Sequence, residues 1–137
     1  MAEAARYMLD TNMVSLLMRS TDPALRRKMM AVPPADLCIS SITEAELLYG
    51  IAKRPERKDL ASLVRSFLDR GTALPWDSAA AAQYGTLRAD LESRGTPLGN
   101  LDTLIAAHAL AAGCILVTND KSFKQVPRLK VKDWSSA

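Results

Sequence analysis

Short apolar runs alternate along this chain with longer segments of helical period. Tyr7-Met8-Leu9, Leu37-Cys38-Ile39, residues 72–75, Ile115-Leu116-Val117 and a short piece at Val131 read as strands. After the first of them Thr11 or Asn12 can cap a helix that carries Val14, Leu16, Leu17 and Met18. Pro23 fits the first turn of a second helix ending near Met30. Ser40 or Ser41 caps a third, running to about Ala52. Pro55 opens a fourth, where Leu60, Leu63, Val64, Phe67 and Leu68 keep the spacing of one buried stripe, and Gly71 suits its end. Asp77 caps a long alanine-rich helix that Gly95 ends. Residues 101–112 form a helix apolar almost all round, closed by Gly113. There is no internal repeat, linker or low-complexity segment. The alternation predicts one α/β domain over residues 1–137, with a parallel sheet of about five strands covered on both faces. Right-handed crossovers put the strand carboxyl ends on one edge, where open α/β sheets bind ligands.

Acidic residues collect at that predicted edge. Asp10 follows the first strand directly, and Asp120 follows the fourth in Thr118-Asn119-Asp120. Each, taken singly, also fits a turn or cap aspartate. Asp102 is harder to read as structural, because its helix is otherwise nearly all apolar. Burying a charge costs several kcal/mol unless it is paired or metal-bound. The helix N-terminus returns only about 0.3–1 kcal/mol of that. The third helix offers a fourth acid, Glu44 or Glu46. Its stripe Ile42, Ala45, Leu48, Tyr49 and Ala52 predicts the core face, and the two glutamates flank that stripe equally. The pattern does not choose between them.

Carboxylates gathered without cysteine or histidine suit a hard cation, Mg²⁺ or Mn²⁺. One or two such ions can activate a water and stabilise charge on a scissile phosphodiester. His108, the single histidine, lies six positions past Asp102 and so roughly 240° round the helix, pointing elsewhere. That excludes a Ser-His-Asp triad or a Cys-His pair, and there is no zinc spacing or glycine-rich phosphate loop.

Composition narrows the class without deciding it. Apolar residues make up 48% and charged residues 24%, ordinary for a soluble globular protein. No apolar run reaches the roughly 18 residues needed to span a membrane, and the opening residues lack an apolar signal core. A cytoplasmic protein is expected. Cys38 and Cys114 read as small buried hydrophobes in a reducing compartment. The net charge of +3 favours a polyanionic partner only weakly, with basic clusters at Arg26-Arg27-Lys28, at Lys53-Arg54 with Arg57-Lys58, and from Lys121 to Lys132. An aromatic content of 5% argues against a platform for stacking unpaired bases.

Four motifs in order resemble one family. Met8-Leu9-Asp10-Thr11-Asn12 resembles the opening motif of PIN-domain ribonucleases. Ile39-Ser40-Ser41-Ile42-Thr43 through Glu46-Leu47-Leu48-Tyr49-Gly50 resembles the second, and it selects Glu46. Gly95-Thr96-Pro97-Leu98-Gly99 with Asp102 through Ile105-Ala106-Ala107-His108-Ala109 resembles the third. Val117-Thr118-Asn119-Asp120 before Phe123 resembles the fourth. The closing Val131-Lys132-Asp133-Trp134 is similar to the end of the VapC toxin branch. The resemblance spans residues 7–134 and leaves residues 1–6 as an expected disordered lead-in.

The resemblance implies a three-layer α/β/α PIN fold. It implies a Mg²⁺- or Mn²⁺-dependent endoribonuclease toxin that is homodimeric, is neutralised by a small VapB antitoxin and cuts tRNA, often in the anticodon loop of initiator tRNA. Asp10, Glu46, Asp102 and Asp120 carry over as catalytic and metal-binding residues, with Asn12 and Thr118 supporting them by hydrogen bonds. One departure stands out: many relatives have an acid just before the phenylalanine of the fourth motif, where this chain has Ser122. Lys121 and Lys124 follow Asp120 at once and are expected to grip RNA phosphates. Leu47 and Ile51, read as projecting away from the core stripe, are expected dimer contacts. Two rival readings are a non-catalytic PIN-type binding module, which predicts loss of an acid, and a phosphatase-like enzyme, which needs Asp-x-Asp where this chain has Asp10-Thr11-Asn12.

Overall fold

Five parallel strands form the centre of the molecule in the computed structural model, which describes residues 6–19 and 22–135. They are β1 (Tyr7–Leu9), β2 (Leu37–Ser40), β3 (Ala73–Leu74), β4 (Ile115–Val117) and β5 (Val131–Lys132), in the order β3-β2-β1-β4-β5. The helices are α1 (Thr11–Arg19), α2 (Pro23–Met30), α3 (Ser41–Ala52), α4 (Lys58–Arg70), α5 (Ser78–Ser93) and α6 (Asn100–Ala112). The chain builds outward from β1 through β2 to β3, then returns to the other side of β1 with β4 and β5. The direction of winding therefore reverses between β1 and β4, and a crevice opens there at the carboxyl ends of the strands. Of the expected lead-in, residues 1–5 lie outside the described residues. Arg6 already belongs to the sheet, since its carbonyl accepts from the Ile115 N–H.

The two-residue period of the strands divides the core in two. Met8, Cys38 and Leu116 face one side and pack with Leu87, Leu91, Ile105, Ala106 and Phe123 under α5 and α6. Leu9, Ile39 and Val117 face the other and pack with Met13, Val14, Leu47, Val64 and Trp134 under α1 to α4. The result is the α/β/α sandwich expected. Cys38 and Cys114 are buried free thiols with sulfurs 3.9 Å apart. They sit on β2 and beside β4, which are separated by β1, so their backbones are too far apart for an unstrained disulfide.

Several helix ends follow the predicted caps. Ser40 Oγ accepts from Ile42 N–H and Asp77 from Ala80 N–H, and Gly113 closes α6 with φ 66. Others differ. Asp10 itself caps α1, through Met13 N–H, where Thr11 or Asn12 was expected. The fourth helix begins at Lys58, because tight turns occupy the residues after Pro55. Gly71 ends it with extended backbone rather than in the left-handed form.

The main correction concerns α3. Leu47 and Ile51 do not project from the core; they are buried in it, with Thr43. Of the stripe expected to face inward, Ile42 is half-buried against the core, while Ala45, Leu48, Tyr49 and Ala52 are exposed. The helix is apolar on two faces, and the buried one runs through Thr43, Leu47 and Ile51, with the weakly hydrophobic Thr43 masking it. The premise for dimer contacts at Leu47 and Ile51 therefore fails.

Candidate active site

Each strand end at the crevice delivers one or more polar groups. Asp10 leaves β1 buried, 2% exposed. Its Oδ2 accepts from Thr118 Oγ at 2.5 Å and its Oδ1 from Met13 N–H at 2.8 Å. Thr118 stands one residue past β4 and also accepts from Asp120 N–H at 3.0 Å, so one hydroxyl spans the crevice and links two of the acids. Asp120 caps the short 3-10 helix Lys121–Gln125, its Oδ1 accepting from Ser122 N–H at 2.9 Å and Ser122 Oγ at 2.7 Å. Glu46 comes from the second turn of α3. Its Oε1 accepts from Thr11 Oγ at 2.6 Å, and Thr11 lies 3.2 Å from the Thr43 hydroxyl. Asp102 lies in the first turn of α6, half-buried, and its carboxylate makes no hydrogen bond among the described residues.

The acids feel one another. Burial pushes the Asp10 carboxyl above its usual range, and the charges of Asp120 and Glu46 add to that; the Thr118 and Met13 hydrogen bonds oppose it. Burial likewise raises Asp102, with further push from Asp120, Asp10 and Glu46. The ion pairs Arg57–Asp59, Arg88–Glu92 and Arg94–Asp90 lie elsewhere and involve none of these four acids. The edge is therefore a negative pocket without a protein counter-charge of that kind. Its donors are all carboxylate oxygens, the set that hard divalent cations take. Among the described residues no three acidic, histidine or cysteine side chains stand close enough to grip an ion as they are.

Asp10, Glu46, Asp102 and Asp120 lie within electrostatic reach of one another, and Thr118 donates to Asp10. Glu46, of the two glutamates on α3, is the one that accepts from Thr11 beside Asp10. Asn12 is different: it is exposed and makes no hydrogen bond to any carboxylate among the described residues. The support expected of it comes from Thr11, one position earlier. Thr11, Thr43 and Ser122 were not predicted as supporting residues; their signal was the hydroxyl-rich setting of the acids, Asp10-Thr11, Thr43 three residues before Glu46, and Ser122 two after Asp120. Lys121 and Lys124 are exposed on the 3-10 helix that Asp120 caps. His108 is buried away from the acids, with Nδ1 2.8 Å from Ser40 Oγ, and burial lowers its proton affinity.

This fold matches known proteins. The PIN domain model fits residues 7–129. The chain belongs to the PIN-domain family. Among relatives within that family, it is 38% identical over 133 residues to the tRNA(fMet)-specific endonuclease VapC of Shigella flexneri, covering 95% of this chain and 98% of that one. Its fold matches the VapC-containing structure of DNA-bound VapBC from Salmonella typhimurium with a TM-score of 0.89 at 34% identity, over 96% of this chain and 99% of that one. It also matches VapBC2 of Rickettsia felis bound to a promoter DNA fragment, with a TM-score of 0.86 at 34% identity, over 93% and 98% of the two chains. Within the PIN family, the chain falls in the VapC ribonuclease branch.

Proposed function

We propose that this chain is a divalent-metal-dependent endoribonuclease, the toxin of a VapBC-type pair, with tRNA as its substrate class and initiator tRNA the first to test. The observation that carries this reading is the mutual electrostatic reach of Asp10, Glu46, Asp102 and Asp120 at the β1/β4 crevice, with no ion pair to any of them among the described residues. Mg²⁺ or Mn²⁺ fits that donor set, and the four carboxylates would hold it. The ion, when bound, supplies an activated water and positive charge for the phosphodiester. The protein's own part is orientation. Thr118 and Met13 N–H fix the Asp10 carboxylate, Thr11 fixes Glu46, and Ser122 fixes Asp120. Asp102 keeps its oxygens for the ion. Lys121 and Lys124, exposed next to Asp120, are placed to meet RNA phosphates.

Two surfaces support the partners. An apolar cavity of about 440 Å³ lies between α2, β2 and α4, lined by Met18, Met29, Val32 and Phe67, with Arg26 and Arg70 at its rim. Met30 and Leu63 on its wall are 78% and 48% exposed. Such a groove suits the apolar face of a helix, and we assign it to a VapB-type antitoxin, the partner present in the related complexes. The exposed stripe Ala45, Leu48, Tyr49 and Ala52 on α3 takes over the role of homodimer surface. The test of the activity is cleavage of end-labelled initiator tRNA with Mg²⁺. Wild type should give one or few cuts and Asp10→Asn none. Full cleavage by Asp10→Asn, or none by wild type with either metal, overturns the reading.

A further inference from the structure

Two of the four acids ride on helices that are not neighbours in sequence: Glu46 on α3 and Asp102 on α6. Their separation depends on how those helices are fixed to one another. Two polar links do this. His108 on α6 meets Ser40 Oγ at 2.8 Å, and that oxygen caps α3 by accepting from Ile42 N–H at 3.0 Å. Ser40 and His108 are both buried, 0% and 3% exposed. One turn earlier on α6, the Leu104 carbonyl accepts from the Trp76 indole N–H at 2.9 Å, while the Trp76 backbone N–H donates to Ser41 Oγ, in the first turn of α3, at 3.0 Å. The two anchors on α6, the Leu104 carbonyl and the His108 ring, are one turn apart. The two at the start of α3, its cap Ser40 and Ser41, are consecutive. A rigid helix carries these fixed points on to Glu46 and Asp102.

We propose that His108 and Trp76 are positioning residues that clamp α6 to the start of α3 and so set the distance between Asp102 and Glu46. An apolar contact would hold the helices together but not in one register; paired hydrogen bonds in a buried setting fix both. His108 enters neutral. One hydrogen bond joins its Nδ1 to the Ser40 hydroxyl, which also accepts from Ile42 N–H.

The inference rests on the proposed metal-dependent activity, and its test separates the two. Mn²⁺ affinity of the RNA-free protein is measured by electron paramagnetic resonance, beside kcat and KM on initiator tRNA. The variants are His108→Leu, His108→Asn and Trp76→Phe, with circular dichroism to verify folding. Asn can place an amide group near the position of Nδ1, and Phe keeps the ring while losing the N–H. Loss of either clamp should weaken Mn²⁺ binding and lower kcat by roughly tenfold or more, the scale seen for outer-shell partners of metal ligands, with KM for RNA little changed. His108→Asn should recover most of both. Wild-type affinity and kcat in folded His108→Leu and Trp76→Phe would overturn the clamp while leaving the nuclease reading intact. If His108→Leu does not fold, Trp76→Phe and His108→Asn decide alone: unchanged Mn²⁺ affinity in Trp76→Phe, or no better function in His108→Asn than in Trp76→Phe, refutes it. A wild type that neither binds Mn²⁺ nor cuts RNA overturns both.

Discussion

Asp10 is the residue on which burial, hydrogen bonding and repulsion converge. Its carboxyl is raised by burial first and by neighbouring acids next. A carboxyl raised in the folded state binds more protons folded than unfolded, so its charge opposes folding as pH rises above its ordinary range. The penalty is absent well below that range and complete above the folded value. Asp10→Asn should therefore melt higher than wild type at pH 7 in metal-free buffer, with the gain fading as pH falls to about 4 and below. A constant difference across pH would deny the electrostatic cause. Thr118→Val removes the hydroxyl that opposes this repulsion. A hydrogen bond to a charged group contributes about 1.5–3 kcal/mol, so the variant should lose stability on that scale at pH 7 and cut RNA poorly. Glu44→Gln should keep full activity while Glu46→Gln loses it. That choice was not legible from periodicity, because both glutamates flank the same apolar stripe. It becomes plain only when Thr11 is seen to grip Glu46.

At the scale of the element, α3 shows how a helix can be placed correctly and rotated wrongly. Its start, its cap and its end were legible, since Ser40 and the following run mark them. Its inward face was not. Two apolar stripes share the helix, and the buried one runs through Thr43, Leu47 and Ile51, while Leu48 and Tyr49 are 38% and 65% exposed. Lys53 covers the Tyr49 ring at 5.1 Å. Strands β1, β2 and β4 were legible because each carries a compact apolar run with a turn or cap behind it. The 3-10 helix after Asp120 was not, because its polar sequence carries no period. The corrected face makes contrasting predictions for two substitutions. Leu47→Glu puts a charge into the core and should unfold the protein or cost several kcal/mol by denaturant titration. Tyr49→Glu should leave the fold intact and give a monomer by light scattering at micromolar concentration. A dimeric Tyr49→Glu would remove α3 from the proposed dimer interface.

For the whole molecule, the sheet order explains why acids from distant parts of the sequence meet. Strand-helix alternation made the parallel sheet and its carboxyl edge legible, but the order β3-β2-β1-β4-β5 depends on packing that no single segment encodes. That order sets Asp10 beside Thr118 and brings Asp120 to the same crevice. The net charge of +3 does not by itself name RNA; the placement of Lys121 and Lys124 next to Asp120 gives it a local form. Lys121→Glu should weaken tRNA binding at low salt and flatten its salt dependence. An unchanged salt slope would remove Lys121 from the RNA surface. The central claim is that the β1/β4 crevice is a metal-dependent catalytic centre. Mn²⁺ soaked into crystals of the protein tests it most directly through anomalous scattering. A peak bound by carboxylate oxygens of Asp10 and Asp102, with Glu46 or Asp120 completing the site, and lost in Asp10→Asn, is the predicted result. An ion bound elsewhere while this crevice stays empty at saturating Mn²⁺ would contradict the account.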